Sequence, residues 1–388
     1  MLRKLLFITS LLLLLCSCQE SKTQLVEDPE QENIRALLAL PDHMPLPYIP
    51  KYNPLTKEKI SLGRRLFYDK KLSANQTQSC GSCHFQALAF SDGKVTPTGS
   101  TGQLLARNSQ GLSNVLYHTT FTWANNTLPD IEDQLQIPIR ADAPVELGVT
   151  DQYIDEVLAR FSTDPVYQTM FAAAFPEDGA VTMNKIVFSI ASFVRTMISA
   201  NSPYDQFIAG NDYAITPAAK RGLALFNGEK FECFHCHRGI NFSNSYRDIN
   251  TDPVAISFEF FNVGLYDTDS TGSYPRIDQG LYEVGFNPDH RGMYRPPTLR
   301  NVELTGPYMH DGSITNLRDV IKHYSDGGRN VTTGRYVGDG RYSPLKSALV
   351  QPFSASEQEI DDLIEFLNSL TDQDFITNPK FSNPHQEP

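Results

Sequence analysis

The pattern of apolar and polar positions along the chain predicts helices far more often than strands. Between residues 182 and 200 the apolar side chains recur every three or four positions, which is the period of a buried helix. Near the carboxyl end, Ser356 and Glu359 form a capping box before a second apolar stripe at helical spacing. Strand patterns are few and short, and 25 prolines and 24 glycines interrupt the chain. The sequence therefore predicts a mainly α fold with long irregular loops.

A short internal sequence repeat indicates two helical units. The segment Gly63-Arg-Arg-Leu-Phe67 returns as Gly222-Leu-Ala-Leu-Phe226, and the second copy follows a strong helix start at Thr216-Pro217. The boundary between the units is expected in the loop around residues 201–215. The expected divisions are an N-terminal domain over residues 51–210, a C-terminal domain over residues 211–376 and a tail over residues 377–388.

Each unit carries a Cys-x-x-Cys-His pentapeptide shortly after its copy of the repeat. The first is Cys80-Gly-Ser-Cys83-His84 and the second is Cys233-Phe-His-Cys236-His237. Such a motif attaches haem c through two thioethers, and its His is the proximal iron ligand. A zinc ribbon usually sets its Cys pairs about 15 to 20 residues apart, and a redox dithiol does not need the His. The prediction is therefore two covalently bound haem c groups in two cytochrome c-like helical domains.

The first residues are typical of an export signal, expected over residues 1–17. Arg3 and Lys4 precede an apolar run, and Leu15-Cys16-Ser17-Cys18 resembles a bacterial lipobox. Cleavage there would leave Cys18 as the lipid-bearing first residue, and a plain secretory signal is the alternative. Residues 18–50 are expected to be a tether. We therefore expect a lipid-anchored protein at the periplasmic or extracytoplasmic face of a membrane, without a structural disulfide.

The net charge of −12 adds little to this interpretation. An acidic surface could steer a basic electron-donor protein, but acidity is more often a solubility trait. We expect no nucleic-acid partner. Whether the chain forms a homodimer is left open by the sequence.

The later part of the chain resembles a known family. The run from Pro297 to Gly312, which reads PTLRNVELTGPYMHDG, resembles the signature of bacterial di-haem cytochrome c peroxidases. Further segments look like landmarks of the same family and occur in the same order. They are Arg107-Asn108, Gln134, Pro144-Val-Glu-Leu-Gly148, the stretch from Ser202 to Gly210 and the stretch from Phe226 to Gly239. The resemblance covers roughly residues 55–372.

The resemblance implies that the N-terminal haem, held by His84, is the one that meets peroxide. Glu146 occupies the position of the acid-base carboxylate, and Gln134 that of a distal amide beside it. An ordinary solvated loop carboxylate is the alternative interpretation of Glu146. Many members block this first iron with a His in the loop that here spans residues 96–102, and this loop contains no His. We therefore expect an open sixth position at the first iron, ready for peroxide.

The second haem, held by His237, would relay electrons. Tyr324 stands where ordinary members carry a Met ligand, which is similar to the MauG-like branch of the family. Met309 is the rival ligand, and a Tyr324 without an iron bond is a further alternative. Trp123, the single Trp of the chain, matches the family's inter-haem bridge, although a lone Trp is often core packing. The resemblance also implies a Ca²⁺ ion at Asn108, Thr305 and Pro307.

Three functions are compatible with these features. The leading hypothesis is a di-haem peroxidase that reduces H2O2 to water with electrons from a small redox protein. The alternative is a MauG-like oxidase that oxidises a partner protein through peroxide-derived high-valent haem. A two-haem electron carrier needs neither an open iron nor an acid-base group, so Glu146 and Gln134 argue against it.

Overall fold

The computed structural model describes residues 29–252 and 259–386, and these are mainly helical. The α-helices of the described ranges are α1 Pro29–Leu38, α2 Lys57–Tyr68, α3 Ile131–Arg140, α4 Ile154–Ser162, α5 Pro165–Ala174, α6 Met183–Arg195, α7 Pro203–Ile208, α8 Pro217–Phe226, α9 Tyr282–Gly285, α10 Leu317–Ser325, α11 Glu357–Asn368 and α12 Gln373–Thr377. The strands pair antiparallel as β1 Phe261–Asn262 with β2 Met293–Tyr294 and as β3 Asn330–Val331 with β4 Gly338–Asp339. The predicted mainly α fold class is confirmed. The expected signal and lipobox lie outside the described residues.

The internal repeat corresponds to the same helix crossing, which occurs once in each half of the protein. Helix α2 packs on α6, and α8 packs on α11. A Cβ atom at Gly63 would lie 1.8 Å from the main-chain oxygen of Ser189, and one at Gly222 would lie 1.9 Å from that of Asp362. Only glycine allows the two helices of each pair to approach so closely. The repeat therefore preserves a close contact between the backbones of two helices in each half.

Helix α6 begins where the sequence predicts and ends earlier. The Thr182 side chain caps it by accepting from the amide of Lys185. The helix ends at Arg195, although the apolar period continues to residue 200. The amide of Ser199 donates to Asn114 Oδ1 at 2.7 Å, and the amide of Ala200 donates to Asp372 Oδ2 at 2.9 Å. Side chains from distant segments thus take the donors that would have continued the helix.

The predicted starts of the two C-terminal helices are confirmed. Thr216 caps α8 through its side chain, and Ser356 with Glu359 forms the capping box of α11. The expected boundary loop contains the short helix α7, whose own capping box joins Ser202 and Asp205. Asp205 also forms a buried bidentate ion pair with Arg300, at 2.9 and 3.0 Å. The boundary region is therefore attached to the C-terminal half rather than free.

Both ends of the described chain pack on the body of the protein. Within the expected tether, Leu38 at the end of α1 and the following Leu40 and Met44 are buried and share an apolar cluster with Tyr117. At the carboxyl end, Phe381 is buried in the core around α2 and α6. Among the described residues, no helix is long and apolar enough to cross a membrane.

Candidate haem sites and their surroundings

The first Cys-x-x-Cys-His motif forms a tight turn directly after the helix α2. Residues Cys80–Ser82 form one 3₁₀ turn, and the amides of Cys83 and His84 both donate to the Cys80 carbonyl at 3.1 Å. Both thiols are free of disulfides. The His84 Nδ1 atom lies 2.5 Å from the main-chain oxygen of Phe90. That contact orients the ring and leaves Nε2 as the nitrogen available for iron.

The second motif repeats this arrangement in the other half. Cys233–His235 form the turn, the amide of His237 donates to the Cys233 carbonyl at 2.9 Å, and both thiols are free. The His237 Nδ1 atom lies 3.0 Å from the main-chain oxygen of Phe242. Phe90 and Phe242 both have left-handed backbones, with φ of 64° and 47°. Such values are uncommon for aromatic residues, so the strain is a shared device that aims a carbonyl at each His.

The residues present fit two covalently attached haem groups. Each motif offers two half-buried thiols that form no disulfide and one His oriented by a carbonyl. Polar atoms close to the motifs also lack hydrogen-bond partners among the described residues although they are buried. They include Asp92 Oδ2 on the side of the first motif and Asn241 Nδ2 and Asn244 Oδ1 on the side of the second. Buried polar groups are seldom left unpaired. Asn241 Nδ2 could donate to a haem propionate, whereas the acceptors Asp92 Oδ2 and Asn244 Oδ1 are suited to a water molecule that a haem group holds in place.

Glu146 lies close to the thiols of the first motif in a firmly anchored loop. The amide of Leu147 donates to the Pro138 carbonyl, and that of Val149 donates to the Ile139 carbonyl, both at 2.9 Å. Burial raises the pKa of the Glu146 carboxyl to about 6. The carboxylate in turn adds to the raised pKa of Cys80 and Cys83, after the larger effect of burial. A buried carboxyl with this pKa can both accept and return a proton near neutral pH.

The loop without a His packs against the Glu146 segment. The amide of Ser100 donates to the Glu146 carbonyl at 2.9 Å, and a Cβ at Gly99 would lie 1.7 Å from the oxygen of Val145. Gln134 is half-buried on helix α3, whose carboxyl end holds the same segment. No hydrogen bond joins the Gln134 amide to Glu146 in the described part of the chain. The structure thus brings Glu146 to the first motif and leaves Gln134 on the neighbouring helix.

Tyr324 lies beside the second motif, near the end of α10. Burial raises the pKa of its phenol, and the nearby sulfurs of Cys236 and Cys233 add to the increase. Its ring meets that of His323 edge-on at a centroid distance of 5.2 Å. Met309 has a left-handed backbone with φ of 70° and packs in a cluster with Trp123 and Val320. The Tyr324 phenol thus lies within electrostatic range of both thiols of the second motif, and Met309 lies in the cluster around Trp123.

Trp123 joins the two halves of the chain. Its indole N–H donates to the Asn108 carbonyl at 2.8 Å, and its own carbonyl accepts from the amide of Arg295 at 2.8 Å. Asn108 is buried, its amide donates to the His310 carbonyl at 2.7 Å, and its Nδ2 donates to the Lys94 carbonyl at 2.8 Å. The remaining Oδ1 atom of Asn108 is the oxygen that a hard cation would use.

The other expected calcium residues lie in the adjoining turn. Thr305 lies close to Gly111, because a Cβ atom built on Gly111 would lie 3.1 Å from Thr305 Cγ2. The peptide bond between Gly306 and Pro307 is cis. Main-chain oxygens of such a turn are ligands that suit calcium.

A buried Arg295 forms a polar cluster that the sequence does not reveal. One guanidinium nitrogen lies 2.5 Å from His118 Nδ1, and the other donates to Gln110 Oε1. Burial lowers the pKa of Arg295 to about 9 and holds that of His118 well below its ordinary value. His118 is therefore engaged by Arg295, in agreement with a structural role. Sequence reasoning missed Arg295 because its partners are more than 170 positions away in the chain.

Comparison with known proteins agrees with this geometry. The family model of di-haem cytochrome c peroxidase matches residues 57–213. The cytochrome-c peroxidase IdrP1 of Pseudomonas sp. (strain SCT) is 34% identical over 356 residues, covering 86% of each chain. The chain belongs to the di-haem cytochrome c peroxidase family. It is thus an oxidoreductase of the peroxidase type, and family membership implies two c-type haems.

Other members of the di-haem cytochrome c peroxidase family include MauG proteins. The methylamine utilization protein MauG of Methylorubrum extorquens is 32% identical over 346 residues, covering 88% of this chain and 86% of that protein. The crystal structure of a MauG-like protein associated with microbial copper homeostasis is similar at 43% identity. That match has a TM-score of 0.87 and covers 89% of this chain and 99% of the other. The family resemblance inferred from the sequence is therefore confirmed.

Proposed function

We propose that the protein uses H2O2 to oxidise a partner protein or another bulky reductant, in the manner of the MauG-like branch. The observation that carries this proposal is Tyr324, which lies near the thiols of the second motif and stands in the sequence where ordinary members place a Met. A phenolate oxygen is a hard anionic ligand that favours ferric iron, whereas a thioether favours ferrous iron. Oxidising equivalents would therefore persist on the protein rather than be quenched at once by a stored electron.

In this proposal each side chain near the first motif has a separate task. Haem bound at Cys80, Cys83 and His84 would supply the iron at which the O–O bond of peroxide breaks. Glu146 takes the proton from the near oxygen of peroxide and returns it to the far oxygen. Gln134 would orient the same peroxide from helix α3.

The test of the proposal is the identity of the second axial ligand. Ferric protein with Tyr324 as ligand should lack the weak near-infrared band of Met-ligated haem, and Met309→Leu should leave the spectrum unchanged. Tyr324→Met should create that band, raise the potential of the second haem and shorten the life of the peroxide-oxidised protein. A band in the unaltered protein that disappears in Met309→Leu would identify Met309 as the ligand and exclude the proposal.

A second candidate function is reduction of H2O2 with electrons from a small redox protein. It is favoured by the 34% identity with a protein named cytochrome-c peroxidase. Stoichiometric H2O2 followed by candidate reductants separates the two functions. Rapid return of the resting spectrum only with a reduced small cytochrome supports this candidate, and quenching by a protein that becomes oxidised supports the first.

We infer three further properties of the protein from its sequence and from the local contacts. The cytochrome c-like domains would span residues 51–210 and 211–376, and Cys18 would carry a lipid at the periplasmic or extracytoplasmic face of a membrane. A Ca²⁺ ion would bind Asn108 Oδ1 and the main-chain oxygens of Thr305 and Pro307. Elemental analysis of the purified protein, before and after treatment with a chelator, would show one calcium per chain or none.

A further inference from the structure

A continuous series of aromatic rings runs from the inter-half region to the surface. Here we call Tyr294, Tyr274, Tyr266 and Tyr336 the tyrosine chain. Tyr294 stacks on His310 with ring centroids 3.6 Å apart. The centroid distances along the chain are 6.2 Å from Tyr294 to Tyr274, 5.7 Å from Tyr274 to Tyr266 and 5.8 Å from Tyr266 to Tyr336. Each is an ordinary contact distance for packed aromatic rings.

The inner end of the tyrosine chain packs with Trp123. Tyr266, Tyr274 and Tyr294 belong to one buried cluster in which Trp123 also packs. The amide of Arg295, the residue after Tyr294, donates to the Trp123 carbonyl at 2.8 Å. The tyrosine chain therefore starts beside Trp123, which links the two halves of the protein, and ends at Tyr336, which is only half-buried.

Two of the buried phenols donate to carboxylates. The Tyr266 hydroxyl donates to Asp311 Oδ2 at 2.6 Å, and the Tyr294 hydroxyl donates to Asp278 Oδ1 at 2.9 Å. Burial raises the pKa of Tyr266 to about 12 and that of Tyr294 well above its ordinary value. Both phenols are thus protonated at rest. Because a phenol that loses an electron becomes a strong acid, a carboxylate in hydrogen-bond contact can take its proton in the same step.

The outer end of the tyrosine chain opens into a basic cavity of about 420 Å³ that is shallow and open to solvent. Its lining residues are Tyr266, Arg329, Asn330, Val331, Thr332, Thr333, Arg335 and Tyr336. The Arg329 guanidinium lies 4.5 Å from the Tyr266 ring centroid, and that of Arg335 lies 5.5 Å from the Tyr336 centroid. Arg329 also donates to Ser313 Oγ at 2.7 Å. Neither guanidinium forms an ion pair with a carboxylate of the described residues. Arg335 is exposed, whereas Arg329 also donates from Nε to the Leu265 carbonyl at 3.3 Å and keeps only Nη2 for an anion.

We propose that this cavity binds an oxidisable aromatic group bearing a carboxylate, and that the tyrosine chain withdraws electrons from it one at a time. The proposal rests on the proposed function, which supplies the oxidising equivalent from peroxide. An electron leaves Tyr266 inward through Tyr274 and Tyr294, and the Tyr266 proton moves to Asp311. An electron from the bound aromatic group then reduces Tyr266 by way of Tyr336, and the proton returns from Asp311. A phenolic reductant releases its own proton to solvent.

The chemistry of the cavity decides the class of ligand. Guanidinium groups bind carboxylates through charge-assisted hydrogen bonds, and aromatic faces bind flat rings. The volume suits a single-ring compound or the side chain of a partner protein, and both sources share the same ligand chemistry.

The first experiment measures binding to the resting di-haem protein without peroxide. The probes are 4-hydroxyphenylacetate, its neutral counterpart 4-hydroxyphenylethanol and the peptides Glu-Tyr-Glu and Lys-Tyr-Lys. We expect the two anionic probes to bind, and Arg335→Gln to weaken that binding about tenfold, as expected for a lost charge-assisted hydrogen bond. Tighter binding of the peptide points to a partner protein, and tighter binding of the small acid points to a free metabolite.

The matched control is Arg291→Gln. Arg291 lies 4.6 Å from the Tyr282 ring centroid and, like Arg335, forms no ion pair with a carboxylate of the described residues, but it does not line the cavity. It should leave binding unchanged. Equal binding of acidic and neutral probes, or equal effects of the two substitutions, would overturn the site.

The second experiment locates radicals after one equivalent of H2O2. A nitroso spin trap followed by peptide mass spectrometry should find adducts on Tyr336, and Tyr266→Phe should remove most of them. Tyr342→Phe is the control, because Tyr342 is exposed and makes no ring contact with the tyrosine chain in the described residues. The haem spectrum is recorded in the same samples. A spectral response to peroxide with unchanged adducts in Tyr266→Phe rejects the relay, whereas no spectral response rejects the proposed function and leaves binding to decide the site.

Discussion

At the scale of single residues, the Glu146 carboxyl gives the protein a pH dependence. Burial raises its pKa from the ordinary range to about 6, so the carboxyl is protonated below this pH and ionised above it. A base that takes a proton from peroxide must be ionised. The second-order rate constant for reaction with H2O2 should therefore rise with pH through about 6 and level off above about 7, measured by stopped-flow spectroscopy of the ferric protein.

Substitution of Glu146 tests the same role directly. Glu146→Gln should keep both haems attached and lower that rate constant by about 10² to 10⁴-fold, with the rise near pH 6 removed. Asp142→Asn is a matched control, since Asp142 is an exposed carboxylate on the same loop. If Glu146→Gln reacts at the parental rate, Glu146 is an ordinary loop carboxylate.

The residues of the haem motifs could be predicted because the chemistry lies in five consecutive positions. The carbonyls of Phe90 and Phe242 could not, because a main-chain oxygen has no residue signature and its direction depends on a left-handed φ set by the packing around it. The tyrosine chain was missed for a related reason. Tyr266 and Tyr336 are 70 positions apart in the sequence, and no local pattern places their rings in contact.

At the scale of elements, Gly63 and Gly222 determine how the paired helices cross. Gly63→Ala would place a methyl group 1.8 Å from the Ser189 oxygen, so helix α2 must move away from α6. We expect the free energy of unfolding to fall by about 1 to 3 kcal/mol or more, measured by chemical denaturation of the haem-loaded protein. Gly285→Ala in α9 is the control, since a Cβ there meets no atom within 4 Å. Equal stability of the two variants would contradict the close-packed crossing.

The helix starts were predictable and one helix end was not. Thr182, Thr216 and Ser356 carry their capping signals in adjacent positions, and all three cap helices. The apolar period through residue 200 does not show that Asn114 and Asp372 take the amides of Ser199 and Ala200. Tertiary hydrogen bonds thus overrode a periodicity that by itself favours helix.

At the scale of the whole molecule, buried polar contacts join segments that are distant in the sequence. Arg107 forms a bidentate pair with Asp278 at 3.0 and 2.7 Å, and Arg247 pairs with Asp130 at 2.7 Å. These contacts connect residues more than 100 positions apart, so the sequence predicted two units but not how they are held together. Asp278 also accepts from the Tyr294 hydroxyl, so the first of these pairs lies at the inner end of the tyrosine chain.

Asp372 is the carboxylate through which the end of the chain holds the segment after α6. Its Oδ2 atom accepts from Ser199 Oγ at 3.2 Å and from the amides of Ala200 and Asn201 at 2.9 and 3.0 Å. Asp372→Asn replaces a fully buried anion with a neutral amide and weakens several charge-assisted hydrogen bonds at once. The free energy of unfolding should fall by about 2 to 3 kcal/mol. Denaturant titration of the haem-loaded protein measures this loss.

Hydrogen exchange separates this anchoring role from a general loss of stability. In Asp372→Asn the amides of Ala200 and Asn201 should exchange faster at denaturant concentrations where the rest of the protein stays protected, because their acceptor has changed. Asp374→Asn is the matched control. Asp374 is exposed, and its carboxylate accepts a hydrogen bond from the Asn201 side chain at 2.6 Å. Its substitution should alter stability by less than about 0.5 kcal/mol. Equal effects of the two substitutions would contradict an anchoring role for the buried hydrogen bonds of Asp372.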